Sequence, residues 1–314
     1  MPYTTADTFI LSAAGCMGTD RDGLDSILAG NEEGAKGCCL SVDMTSDGIA
    51  VLSSDGYVLA PNGGAVAVCD HTYTELRQVA PRLLPVGQAL DLARACRSKI
   101  AITLRDPSLL PQMRMTLRQT DYLDDAVFVG LGLVEAARIA SANPDLHIMG
   151  EMPAVPDNIA ALVNASQTTG LFGLRAAPAH LTPPLLRACR AAGLFTMSLP
   201  TNDPRTLDTL IRGGVNFIET SRPDLAAALL PEGKRPGRSA SRCAALTESR
   251  KRHLMHQRAR GAFFLVLCVF SLFILNFSRL LFYIFSFSPP FSVLYYDKVI
   301  LHSASCGGIA IKIK

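Results

Sequence analysis

The chain has 314 residues, of which 49% are hydrophobic and 18% charged, with a formal net charge of +3. That length suits one large domain or two ordinary ones, and so apolar a composition excludes a disordered chain or a fibrous repeat. Nine cysteines without a CxxC spacing exclude a zinc ribbon and a thioredoxin-type site, the polar opening MPYTTAD predicts no secretory leader, and free thiols in a reducing cytoplasm are expected.

In chain order, short β-rich apolar runs predict strands at Phe9–Ala14, Gly37–Asp43, Ile100–Leu104, Ala126–Gly130, Leu146–Gly150, Leu171–Arg175, Leu194–Ser198 and Val215–Glu219. Runs of helical period lie between most of them, such as Val86–Cys96, Leu133–Ser141, Pro183–Ala192 and Pro204–Gly213. Asp203 is placed to cap a helix with Pro204 at its first position, and Gly193 and Gly213 sit where helices should stop. Strands separated by helices pair in parallel. Eight such units predict an α/β fold, a (β/α)8 TIM barrel over residues 8–231, with an open doubly wound sheet as the alternative. No glycine-rich dinucleotide turn follows the first strand, which favours the barrel.

A barrel of this kind carries its site at the C-terminal ends of its strands. On the second strand, Gly37, Cys39, Ser41 and Asp43 share one face and Cys38, Leu40 and Val42 the other. The apolar second set should face the helices and the first set the lumen.

The stretch Gly34–Asp55, GAKGCCLSVDMTSDGIAVLSSD, resembles the strand-2 motif of the glycerophosphodiester phosphodiesterases, G-A-D-x-I-E-x-D-V-x-x-T-x-D-G-x-x-V-x-x-H-D. Gly34, Ala35, Val42, Thr45, Asp47, Gly48, Val51 and Asp55 stand where that pattern wants them. VCDHTYTELR (Val68–Arg77), LPVGQALDLAR (Leu84–Arg94), GLFTMSLPTND (Gly193–Asp203) and GVNFIETSRPD (Gly214–Asp224) resemble later family segments in the right order. The resemblance implies a (β/α)8 barrel that hydrolyses a glycerophosphodiester with a divalent cation, Mg or Ca.

The departures fall on the site. Where the family has His-Arg-Gly, this chain has Ala13-Ala14-Gly15, and Arg21-Asp22-Gly23 replaces Glu-Asn-Thr. The metal-binding Glu and Asp of strand 2 fall on Cys39 and Ser41, the His before Asp55 on Ser54, and the strand-3 Glu on Thr103. The nearby Lys becomes Arg105, which keeps the charge. The strand-7 aromatic falls on Leu199 and the closing Thr-Asp on Thr220-Ser221. Hard cations take several carboxylate oxygens, and general acid–base catalysis is worth about 10²–10⁴-fold, so both losses are severe. The framework glycines and strand cores remain. This predicts a folded barrel without its family chemistry, with no catalytic or metal residues and no cofactor. It would serve as a scaffold, or bind a small anionic or polyol ligand through Arg105, Asp43, Asp55, Ser41 and Ser54, with Thr103 beside them. The alternative is a metal-dependent phosphodiesterase with displaced ligands such as Asp43.

Other polar residues have plainer readings. Asp47 and Asp55 sit in turn signatures. Glu151 and Glu219 end strands and suit a solvated rim. His71 falls in a loop, His180 before a helix and His147 near the start of strand 5, the wrong end for a barrel site. Cys39 shows no activating base by spacing and reads as a buried thiol.

Beyond Pro231 the composition changes. Residues 1–231 hold 17 Lys and Arg against 24 Asp and Glu, a net of −7; residues 232–314 hold 13 against 3, a net of +10. Residues 232–260 read as a basic linker, which lacks the interleaved aromatics of a nucleic-acid site. Residues 261–288 contain the run Ala262–Phe287, whose only charge is Arg279, long enough to span a membrane. The basic residues before it predict the barrel on the cytoplasmic side. Residues 289–314 end irregularly, and the whole tail composition also fits a shifted reading frame, in which case the barrel is cytoplasmic and unanchored.

Overall fold

A computed structural model describes residues 3–231, apart from residue 62. All expectations for residues 232–314 lie outside the described residues. The elements run β1 (Phe9–Ser12), α1 (Leu24–Glu32), β2 (Gly37–Met44), β3 (Ala50–Leu52), β4 (Tyr57–Leu59), β5 (Ala65–Ala67), α2 (Tyr73–Val79), α3 (Val86–Ala95), β6 (Lys99–Leu104) and α4 (Leu110–Gln119). They continue with β7 (Ala126–Gly132), α5 (Leu133–Ala142), β8 (Ile148–Met152), α6 (Ile159–Thr168), β9 (Gly173–Ala176), α7 (Pro183–Ala191), β10 (Phe195–Ser198), α8 (Pro204–Gly213), β11 (Phe217–Thr220) and α9 (Pro223–Leu229).

Eight of the strands pair in parallel in the order β1-β11-β10-β9-β8-β7-β6-β2, and β1 pairs with β2 to close the ring. This is the (β/α)8 barrel, not the open sheet. Each predicted strand is present within two residues at either end. Three short strands were not foreseen. β3 pairs antiparallel with β2, and β4 and β5 form a separate hairpin. All three follow β2 and stand at the mouth end.

The period-2 pattern decides the layers. Cys38, Leu40 and Val42 pack outward with Val86 and Leu90 of α3. Cys39 points into the lumen with Leu11, Ala101, Val127, Met149, Met197 and Phe217. The floor is aromatic: Phe172 stacks on Phe195 at 4.3 Å between centroids, and Tyr3 meets both Phe195 and Phe217 edge-on. A closed apolar floor leaves one end of the barrel for polar chemistry. α8 starts as expected, with the Asp203 carboxylate accepting from the Thr206 N–H at 2.9 Å and Pro204 in the first turn. Its stop differs by one residue. Gly213 remains helical, and Gly214, at φ 73°, takes the left-handed position that glycine occupies without a Cβ clash.

Candidate functional site

The expected mouth residues do lie at the C-terminal ends of the strands. Ser41 and Thr103 are neighbours in register on β2 and β6. Ala13 follows β1, and its N–H donates to the Thr220 carbonyl. Thr220 itself turns away from the lumen: its hydroxyl donates to Asn202 at 2.9 Å.

Four of the five predicted ligand residues meet on one side of the mouth. Arg105 Nη2 donates to the Ser54 carbonyl. Arg105 also lies 4.0 Å from Asp55, which Arg21 approaches at 3.5 Å from the other side. A Cβ placed on Gly56 would sit 2.9 Å from Arg105 Nη1 and 3.1 Å from Asp43 Oδ2, so those two groups flank the same glycine. The Ser54 hydroxyl donates to Asp22 at 2.7 Å, and Asp22 also accepts the Ser54 N–H. Ser41 takes part through its backbone, its carbonyl accepting from the Ser53 N–H. Arg21 and Asp22 were seen in the sequence only as replacements. Their contacts with the 53–56 loop cross more than thirty residues, which no local pattern signals.

The opposite side of the mouth holds a buried ion cluster. Arg175 on β9 donates from Nη1 to Glu151 of β8 and from Nη2 to Glu219 of β11, the second at 2.8 Å. The Arg175 and Glu219 side chains are each only 9% exposed. Glu219 is therefore not a solvated rim residue, which corrects the simplest reading of its position. Arg175 was missed altogether, because it closes a run read as an apolar strand. Burial opposes its charge, but Glu219, with Cys39 and Glu151 adding to it, outweighs burial and holds the guanidinium above its usual range. Burial also pushes the Cys39 thiol well up, and Glu219 adds to the effect. The thiol is thus a buried, protonated neighbour of the cluster rather than a nucleophile, as its sequence context indicated.

These residues do not fit a divalent cation. Such an ion needs several carboxylate oxygens converging on one point. At the mouth, Glu151 and Glu219 converge on the Arg175 guanidinium instead, Asp55 lies between Arg21 and Arg105, and Asp43 accepts from the Met44 N–H. Among the described residues, no group of three or more His, Cys, Asp or Glu is arranged to hold a metal. The histidines keep the places expected for them. His147 packs on the aromatic floor, 4.4 Å from Phe172 between ring centroids, and burial holds its imidazole below the usual value. A groove of about 550 Å³ lies on the outer layer between α4 and α5, where Arg114 and Arg118 both pair with Asp145.

The chain has the fold of the glycerophosphodiester phosphodiesterases. It is similar to the glycerophosphodiester phosphodiesterase of Agrobacterium tumefaciens, at 18% identity and a TM-score of 0.57, covering 70% of this chain and 99% of that one. It is similar also to the enzyme of the same name from Thermotoga maritima, at 16% identity and a TM-score of 0.61, covering 71% and 98%. A third is a phosphodiesterase from Oleispira antarctica in complex with its product sn-glycerol-3-phosphate, at 15% identity and a TM-score of 0.60, covering 70% and 96%. No family model matches the sequence, and no curated protein does.

Proposed function

We propose that the barrel is a catalytically silent glycerophosphodiester phosphodiesterase-like module that binds a small phosphorylated polyol without hydrolysing it. One observation carries the reading. The strand-end positions where the resemblance calls for His, Glu and Asp hold Ala13, Cys39, Ser41, Ser54 and Thr103, while Asp55, Glu151 and Glu219 at the mouth are paired with arginines. General acid–base catalysis needs an ionisable group at the reacting oxygen. Alanine has none, and the Ser54 hydroxyl is already committed to Asp22.

Binding uses what remains. Arg21 and Arg105 share Asp55, and their side chains are 62% and 40% exposed, which leaves guanidinium donors free to meet a phosphoryl group. Hydroxyls at Ser41 and Thr103 suit a polyol. The Oleispira relative, seen with sn-glycerol-3-phosphate, supports that ligand class.

The test mixes the protein with glycerophosphocholine and either Mg²⁺ or Ca²⁺ and measures released glycerol phosphate. No release is expected, whereas glycerol phosphate itself should raise Tm, and Arg105→Met should abolish that rise. Metal-dependent turnover that disappears in Asp43→Ala would establish the displaced-ligand enzyme instead. The proposal extends to the tail: the run at 262–279 anchors the chain with the barrel on the cytoplasmic side. Removing residues 261–314 should then move the protein from the membrane fraction to the soluble one.

A further inference from the structure

The exposed apolar side chains are not scattered over the barrel. Seven large hydrophobic residues stand out among the described residues. Six of them, Met17, Ile49, Tyr57, Leu59, Val134 and Val155, lie on segments that leave the C-terminal ends of strands. Met17 is in the turn after β1, and Ile49 in the turn between β2 and β3. Tyr57 and Leu59 alternate on the outer face of β4, where they are 58% and 73% exposed. Val134 opens α5 just past β7 and is 87% exposed, and Val155 follows β8. Only Met115, within α4, sits on the flank. Exposed apolar residues dispersed singly call for no explanation, but six of seven at one end do.

Charge on that end narrows the partner. The same segments carry Asp22, Asp47, Asp55, Asp70 and Asp157, against which stand Arg21 and, from neighbouring segments, Arg105 and the Arg82 that pairs with Asp20. Both lysines of the described residues, Lys36 and Lys99, lie just before β2 and at the start of β6, at the opposite end. An acidic rim repels an anionic surface and suits one whose outermost charge is positive. The apolar side chains come from five separate segments, so a protein partner would need five matched pockets. A lipid surface accepts such protrusions without them, and aromatic rings such as Tyr57 are favoured at its interface.

We propose that the mouth of the barrel docks on a zwitterionic lipid surface with quaternary ammonium headgroups. Met17, Ile49, Tyr57, Leu59, Val134 and Val155 enter the interfacial layer, and the acidic rim faces the ammonium groups. Tyr57 is placed to add a cation–π contact with one of them. The proposal concerns the rim and stands whether or not the mouth binds a phosphorylated polyol.

The chain contains no tryptophan, so a single substitution creates a site-specific reporter. The full chain carrying Leu59→Trp is mixed with phosphatidylcholine vesicles, and Met115→Trp serves as the flank control. Emission from Leu59→Trp should shift to shorter wavelength and be quenched by lipids brominated in their acyl chains, while emission from Met115→Trp stays unchanged. Adding Tyr57→Ser and Ile49→Ser to Leu59→Trp should reduce the shift several-fold, while polyol binding in the mouth is retained. Equal shifts at positions 59 and 115, or no shift at 59, overturn the proposal, even if the chain sediments with the vesicles through its apolar run. A larger shift with phosphatidylserine vesicles overturns the charge argument. A shift that grows with protein concentration in the absence of lipid assigns the rim to a second copy of the chain and overturns it as well.

Discussion

Arg175 and Glu219 face each other across the barrel mouth from strands β9 and β11, with Arg175 Nη2 2.8 Å from Glu219 Oε2 and both side chains nearly buried. The strands are not adjacent, since β10 lies between them. The pair therefore bridges the lumen, and Glu151 extends the bridge to β8. A guanidinium can satisfy two carboxylates at once through its fork of donors. It supplies here the positive charge that a cluster of mouth carboxylates requires.

Removing that charge should be costly. Arg175→Met leaves Glu219 buried without a counter-charge, and breaking such a pair costs about 3–5 kcal/mol. The double variant Arg175→Met with Glu219→Leu should recover most of the loss, because the only carboxylate then left without its partner is Glu151, which is 34% exposed and can be solvated. Urea unfolding of the two variants checks this. If the single variant matches the wild type, the cluster contributes nothing to the fold.

Gly173 begins β9 where the chain has no room for a side chain. A Cβ there would lie 2.2 Å from the Phe195 carbonyl oxygen and 2.7 Å from the Met149 methyl carbon. The first contact is with backbone of the neighbouring strand, so it cannot be relieved by a rotamer change. Gly173→Ala should destabilise by at least the ~1–3 kcal/mol typical of overpacking. Thermal unfolding checks this, with Gly170→Ala as the comparison: Gly170 meets nothing within 4 Å, and its penalty comes from its positive φ alone.

The barrel was legible because its signals are local. Strand alternation put Cys39 in the lumen and Leu40 against the helices, and Asp203-Pro204 marked a helix start that the structure reproduces. The stop expected at Gly213 falls on Gly214 instead, because adjacent glycines give the same local signal and only the backbone angle separates them. β3, β4 and β5 have three residues each, too few to display a period. The mouth was legible only in part. Arg105, Asp55 and Ser54 could be gathered through the resemblance to the family motif, and Asp43 by the strand face that it shares with Cys39 and Ser41. Arg175 could not, because its partners lie 24 and 44 residues away in the chain and only ring closure brings them together. Its parity with the lumen face of β9 was the one available signal.

His147 gives the barrel floor a pH dependence. Burial holds its imidazole below the usual value, partly opposed by its hydrogen bond with the Ala126 carbonyl. In the unfolded chain it titrates near 6.5. Below that pH the unfolded chain takes up a proton that the folded chain resists, so acid favours unfolding. The contribution is complete above the unfolded value and is lost as pH falls through the lower folded one. His147→Phe removes this titration and keeps the ring packing. Its loss of Tm between about pH 7 and about pH 5 should be smaller than that of the wild type. An equal or larger loss would assign the acid sensitivity to carboxylates elsewhere.

The strongest check on the reading of the mouth is to rebuild it. Ala13→His, Ala14→Arg, Cys39→Glu, Ser41→Asp, Ser54→His and Thr103→Glu restore together the residue types that the resemblance calls for. Cys39→Glu is the demanding step, since that thiol is buried beside Glu219 and a new carboxylate there adds like charge. A divalent cation would relieve that repulsion, so the variant should gain a Tm increase on adding Mg²⁺ or Ca²⁺ that the wild type lacks. The remaining conflict is with Arg175, which already supplies positive charge at the mouth. Adding Arg175→Met to the six substitutions should therefore strengthen the metal response. If the strand ends keep the geometry of the hydrolases, slow release of glycerol phosphate from glycerophosphocholine should follow metal binding. A variant that folds and binds the cation yet releases nothing would mean that the backbone around Ala13 and Ser54 no longer presents those side chains to the lumen. A variant that folds but shows no metal response would show that restoring these residue types does not rebuild a cation site.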